Sequence, residues 1–352
     1  MLPRAGGSCK RRSLVLGCAP VKIADRKALV RIGLGLGIFT VGGWAAGCFM
    51  CRCGGTGQRV LGSAPIPPEN LRTHVQVLAG EVGERNDYNP TALARAADYI
   101  EQQWRTQGYE IVRYTYRVSD TDCANIEVTR RGTSRSNEIV LVGAHYDSVF
   151  GSPGANDNAS GVAAMLELSR FFAHYGTART IRFVAFVNEE PPFFETERMG
   201  SRVYAKMARA RGDDIRAMLS LETMGYYSDA RRSQHYPAIF SLFYSDRGNF
   251  IAFVSDFSSR PSLLQAVAAF RAHSDFPVEC VATSRRIVGI GWSDHGSFWL
   301  NGYPALMVTD TAVFRYPYYH TVEDTPDKVN YDALARVTEG LCGVVTSLAA
   351  SD

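Results

Sequence analysis

The chain has 352 residues, 46% of them hydrophobic and 21% charged, which is apolar enough for a sizeable core and too balanced for a disordered or fibrous protein. Its net charge of +3 hides an asymmetry, because residues 1–52 carry nine basic side chains against one acidic and the remainder of the chain is −5. The basic excess belongs to the N-terminal segment, so the composition gives no reason to expect a nucleic-acid partner.

In chain order, residues 1–31 hold Arg4, Lys10, Arg11, Arg12, Lys22, Arg26, Lys27 and Arg31, with Asp25 the single acid, and 20 uncharged positions follow at 32–51. Such a run can cross a hydrocarbon core of about 30 Å, and the upstream charge would hold the N-terminus in the cytoplasm and everything downstream outside. The expectation is membrane attachment through a transmembrane anchor or signal segment. Ala45-Ala46-Gly47-Cys48 also resembles a bacterial lipoprotein cleavage site, which makes acylation at Cys48 or secretion the alternatives. Residues 52–68, rich in glycine, serine and proline, read as a linker, and 69–352 as one domain. Of eight cysteines, only Cys123, Cys280 and Cys342 fall in that domain, enough for at most one internal disulfide.

The domain opens with a helix signal: Asn89 as N-cap, Pro90 at the first helical position, apolar residues at Leu93, Ala96, Ala97, Ile100 and Trp104, and Gly108 to close it. Strand patterns at 109–118 and 124–129 read as an antiparallel edge. Four mainly apolar runs follow, at 139–144, 181–187, 217–221 and 305–308, separated by helical patterns, and a last helix covers 331–348. Buried strands alternating with helices predict an α/β fold of three layers, α/β/α, with a mostly parallel central sheet. Ligands of such sheets bind at the carboxyl ends of the strands.

Metal-capable side chains collect at those ends. His145 follows the first run, Glu189 and Glu190 the second, and Glu222 the third, while Asp157 lies in the loop after the first run and His320 in the loop after the fourth. Zinc takes imidazole nitrogen and carboxylate oxygen, and two ions about 3.5–4 Å apart can share a carboxylate and a water. Five donors require one shared carboxylate, and a sixth carboxylate can move the proton of the water. The adjacent pair Glu189-Glu190 supplies one of each if the chain there is extended and the two side chains diverge. Taken singly, Asp157 is an ordinary turn aspartate, Glu222 a strand-end charge and His320 a surface histidine.

Six segments in order change that balance: Gly143-Ala144-His145-Tyr146-Asp147-Ser148, Gly154-Ala155-Asn156-Asp157-Asn158-Ala159-Ser160-Gly161, Asn188-Glu189-Glu190, Leu221-Glu222-Thr223-Met224-Gly225, Ser293-Asp294-His295-Gly296-Ser297-Phe298, and Tyr319-His320-Thr321 followed by Asp324-Thr325. The chain resembles the M28 family of zinc peptidases in these segments, over residues 66–350. The resemblance implies a phosphorylase/zinc-exopeptidase-like fold and two zinc ions, with Asp157 bridging, His145 and Glu222 completing one site, and Glu190 and His320 the other. It implies Glu189 as the general base, Asp147 as the acceptor that orients the His145 ring, and Tyr319 as a donor to the oxyanion. Asp294 and His295 match a motif near the substrate pocket. Glu222 stands where many members have aspartate, which affects the mode of coordination more than the metal. Phe193, Phe194, Phe314, Tyr316 and Tyr318, and the stretch 191–199, are candidate pocket walls.

The implied function is a membrane-attached, extracytoplasmic exopeptidase acting on peptides, most simply an aminopeptidase, since a carboxylate-rich site suits a substrate amine. A carboxypeptidase on the same site, a glutaminyl cyclase with one zinc, and a receptor-like ectodomain without chemistry are the alternatives. The last predicts missing ligands, and none of the five is missing.

Overall fold

The structure, a computed structural model, describes residues 65–118, 121–237 and 240–350. The expected membrane segment, Cys48 and most of the expected linker lie outside the described residues, among which no helix is long and apolar enough to cross a membrane. The folded part begins before position 69. Ile66 is buried, its N–H donates to Glu339, and Pro68 opens helix α1, Pro68–Val75.

Helix α2, Pro90–Thr106, forms for the local reasons expected. The Asn89 side chain accepts from the N–H of Ala92, Pro90 occupies the first turn, and Gly108 ends the helix at φ 84°, where a side chain would be strained. Its apolar stripe of Leu93, Ala96, Ala97, Ile100 and Trp104 is buried throughout.

The sheet has eight strands: β1 Val112–Val118, β2 Thr121–Arg130, β3 Arg135–His145, β4 Arg179–Phe186, β5 Asp214–Glu222, β6 Ile251–Asp256, β7 Val278–Thr283 and β8 Ala305–Thr309. They lie in the order β1-β2-β4-β3-β5-β8-β6-β7. The four apolar runs form the parallel centre β4-β3-β5-β8, while β1 with β2, β2 with β4, and β6 with β8 are antiparallel, so the sheet is mixed. Strands β6 and β7, parallel to each other, extend the far edge and were not anticipated.

Alternate residues of each central strand enter different cores. Val140, Val142 and Ala144 of β3 face helices α1, α2, α3 (Gly161–Ala173), α5 (Arg260–His273) and α7 (Tyr331–Ala349), whereas Ile139 and Leu141 face α4 (Gly200–Arg211) and α6 (Asp294–Leu300). This is the buried-on-both-faces condition that made the runs continuously apolar. On the second face α4 packs over β2, and α6 over β3, β5 and β8. The part of β6 to β8 beyond them is met by loops around 234–244, 288–292 and 311–314, which leave an apolar cleft. Cys123, Cys280 and Cys342 are all buried.

Candidate active site

The parallel centre brings its carboxyl ends together. His145 is the last residue of β3, in register with Phe186 at the end of β4, and Glu222 is the last residue of β5. Asp157 sits in the turn before α3, and His320 in the loop after β8. The backbone at these ends is unusual: Asn188, Thr223 and His320 have φ of 58°, 40° and 58°, conformations that non-glycine residues adopt at a cost of about 1–3 kcal/mol when surrounding contacts hold them.

Asp157 stands at the centre. Its Oδ1 is 3.3 Å from His145 Nε2, which is also 3.3 Å from Glu222 Oε2. Its Oδ2 is 3.1 Å from His320 Nε2, which is 3.2 Å from Glu190 Oε2. One carboxylate thus faces two His/Glu pairs with separate oxygens. Each trio keeps one donor atom per residue within 4.8 Å of the others. His145 Nε2, Asp157 Oδ2, Glu190 Oε1 and His320 Nε2 are buried with no hydrogen-bond partner outside the cluster, although buried polar atoms are normally satisfied. Imidazole and carboxylate donors converging in this way fit zinc.

Glu189 Oε2 lies 3.9 Å from His145 Nε2; it is in neither Asp157 trio, but with His145 and Glu190 it forms a third group of donors close enough to share an ion. The chain that carries the two glutamates is not an extended strand. β4 ends at Phe186, Asn188 turns the chain, and the Asp147 carboxylate accepts the N–H groups of Glu189 at 3.2 Å and Glu190 at 3.1 Å. Asp147 therefore has two tasks. The His145 ring donates from Nδ1 to the Asp147 carbonyl at 3.2 Å with the carboxylate beside it at 3.6 Å, and the same carboxylate fixes the glutamate pair.

Among the protein's own groups the charges compensate. Burial opposes the His145 imidazolium, but Glu189, Glu222, Asp147 and Asp157 outweigh it and raise its pKa well above the usual value. Burial is likewise outweighed at His320, where bonds to Asp157 and Glu190 raise the pKa to about 10. Burial and Asp157 push Glu190 up to about 7, and burial together with Glu222 and Glu190 raises Glu189 well above the carboxylate range. Asp157 stays ionised despite burial because both histidines bond to it.

Three supporting residues carried no role in the sequence reading. Ser293 donates its hydroxyl to Glu222 Oε2 at 2.7 Å. Asp324 accepts the N–H groups of Asn156 and Asp157 at 2.8 and 3.1 Å and the Tyr316 hydroxyl at 2.6 Å, tying Asp157 to the His320 loop. Arg85 lies wholly buried beneath the 146–154 loop. Asp324 stood in a quoted motif, but a lone arginine in Gly83-Glu84-Arg85-Asn86 gave no signal.

The apolar cleft opens onto the cluster, since Glu222 and Tyr319 are part of its wall. With its mouth it encloses about 870 Å³, floored by Phe253, Val254, Cys280 and Met307 and flanked by Tyr236, Phe240, Ile290 and Trp292. Tyr319 stacks on the His320 ring at 3.8 Å, and burial with the four surrounding carboxylates keeps its phenol protonated. Of the aromatic residues expected as walls, Phe314 lines the cleft. Phe193 is buried outside it, Tyr316 is bonded to Asp324, and neither Phe194, Tyr318 nor any residue of 191–199 contributes to its lining. Asp294 and His295 do not line the apolar cleft; both are fully buried in the first turn of α6, where His295 donates from Nε2 to the Ile290 carbonyl at 2.7 Å, behind the 288–292 wall, and Asp294 lies within electrostatic reach of His145 and Glu222. Burial lowers the His295 pKa to about 4, so it is neutral.

The family model for Peptidase family M28 matches residues 125–345. The chain belongs to that family. It is 36% identical to the Escherichia coli (strain K12) protein YfbL over 78% of this chain and 86% of that protein. It is 28% identical to leucine aminopeptidase 1 of Arthroderma otae over 61% of this chain, and spans 56% of that enzyme's length. Among solved structures, the zinc aminopeptidase BSAP of Bacillus subtilis superposes with a TM-score of 0.66 over 83% of this chain and 97% of its own, at 15% identity. This likeness establishes the shared fold.

Proposed function

We propose that this M28 peptidase is a two-zinc aminopeptidase that removes apolar N-terminal residues from peptides, and that it works outside the cytoplasm, attached to the membrane through its N-terminal segment. The observation that carries the reading is the division of Asp157, one oxygen toward His145 and Glu222 and the other toward His320 and Glu190, beside an apolar cleft that shares Glu222 and Tyr319 with the cluster. Zinc ions held by these five residues would polarise the scissile carbonyl and lower the pKa of a bound water. Glu189, in neither Asp157 trio, would take a proton from the attacking water and return it to the departing amine. Tyr319 donates its phenolic proton toward the oxygen that gains charge. The carboxylates hold the substrate's free amine, and the cleft takes its first side chain. The extracytoplasmic placement rests on the charge asymmetry around residues 32–51.

The test is a panel of aminoacyl arylamides and blocked peptides with the purified zinc-loaded protein. Burying a leucine or phenylalanine side chain contributes about 1.5–3 kcal/mol, so their kcat/KM should exceed that of alanine by about 10-fold or more. N-acetylation should abolish cleavage and C-terminal amidation should change little. Removal of C-terminal residues from N-blocked peptides would make the chain a carboxypeptidase. Ring closure of N-terminal glutamine with loss of ammonia, by protein holding one zinc, would make it a cyclase.

A further inference from the structure

Among the described residues Arg85 is the largest charged side chain buried at 0% exposure. Its guanidinium donates to five backbone carbonyls. Nε bonds the carbonyl of Tyr146 at 2.7 Å, the residue after His145. Nη1 bonds Pro153 at 2.5 Å, Gly83 at 3.2 Å and Leu78 at 3.3 Å, and Nη2 bonds Gly154 at 2.8 Å. Its main chain joins the same loop: its N–H donates to Ser148 Oγ, and its carbonyl accepts from the Ser148 N–H.

These bonds connect both ends of the loop between His145 and Asp157. The far end is further constrained at Gly154, whose φ of 64° and whose missing Cβ are both required. A methyl group there would stand 2.5 Å from the Asp157 carbonyl oxygen, 2.6 Å from Ser148 Cβ and 3.2 Å from Arg85 Nη2. Loops usually hold position through surface contacts, and here a buried planar fork does so from inside. Charge adds to geometry. Burial lowers the Arg85 pKa to about 10, while Asp147, Asp324, Asp157 and Glu190 favour its charged form, so it remains a cation among the carboxylates at neutral pH.

We propose that Arg85 is a positioning residue for the metal centre: by clamping Tyr146, Pro153 and Gly154 it sets the separation of His145 from Asp157, and its charge offsets the convergence of carboxylates around the bridge. It acts through the loop and touches no reacting atom. The inference rests on the metal reading of the cluster, but concerns affinity at Asp157 whether one ion or two are bound.

The test is zinc titration of wild type, Arg85→Lys and Arg85→Ala against a chromophoric chelator, with thermal unfolding and steady-state kinetics in parallel. Lysine keeps the charge but has three donors without the fork, so it cannot hold both ends of the loop. Outer contacts of this kind are worth about 10- to 100-fold in metal affinity or activity. Arg85→Lys should remain folded, bind zinc at least about 10-fold more weakly, and lose kcat with KM little changed. Arg85→Ala, which also removes the charge, should be weaker still if it folds. Wild-type zinc affinity and kcat in folded Arg85→Lys, with only a lower Tm, would overturn the proposal and reduce Arg85 to a structural residue. A wild type that binds no zinc would instead overturn the metal reading itself, and the proposal with it.

Discussion

Zinc binding at this cluster should be coupled to proton release, and the size of the coupling follows from the histidines. His320 has its pKa raised from 6.5 to about 10 by Asp157 and Glu190, so at pH 7 it is protonated, and a metal ion must displace that proton to reach Nε2. Three pH units correspond to ~4 kcal/mol, an upper figure because the side chain is 30% exposed and solvent screens the interaction. His145, also raised well above its usual value, adds a second proton, and Glu190, at about 7, adds roughly half of one. Between pH 6 and 8, affinity should rise about 10-fold per unit for each imidazolium displaced. The stability of the metal-free protein runs the other way. A raised folded pKa stabilises fully below about 6.5 and is lost as pH rises through about 10, so the metal-free Tm should fall over that window while the gain on adding zinc grows. Isothermal titration of zinc at pH 7 in buffers of different ionisation enthalpy measures the protons directly. About two or more should be released on full loading. A binding enthalpy independent of buffer would refute the argument, since it would mean that neither imidazolium gives way to metal.

Glu189→Gln preserves shape but accepts no proton, so zinc content should be unchanged while kcat falls by about 10² to 10⁴; near-normal turnover with full metal would remove Glu189 from the reaction. His145→Ala and His320→Ala should each weaken one ion, whereas Asp157→Asn should weaken both, because its two oxygens face different trios; elemental analysis that finds one full site in Asp157→Asn would show that the carboxylate is not shared.

The sequence by itself determined the parallel centre and the identity of the cluster. Four runs buried on both faces have no polar alternation to disguise them, and the rule that ligands gather at strand carboxyl ends places His145, Glu190 and Glu222 together before any coordinates are known. It also gave α2, because a cap, a proline and a terminal glycine act locally. Tertiary structure decided the rest, for reasons of distance along the chain. Strands β6 and β7 were missed although they are no shorter than β8; β6 pairs with both β7 and β8, and β7 with β6. The cleft they floor was not read from the sequence, nor was the support that His295 gives its wall through the Ile290 carbonyl. Asp147 was read as orienting His145, two residues away; that its carboxylate also binds N–H groups more than forty positions on could not be read from spacing. Arg85 carried no signal at all, since five carbonyls have no sequence signature. A side chain that works through its own neighbours can be read from spacing, but one that works through backbone brought from elsewhere becomes visible only when the chain has folded around it.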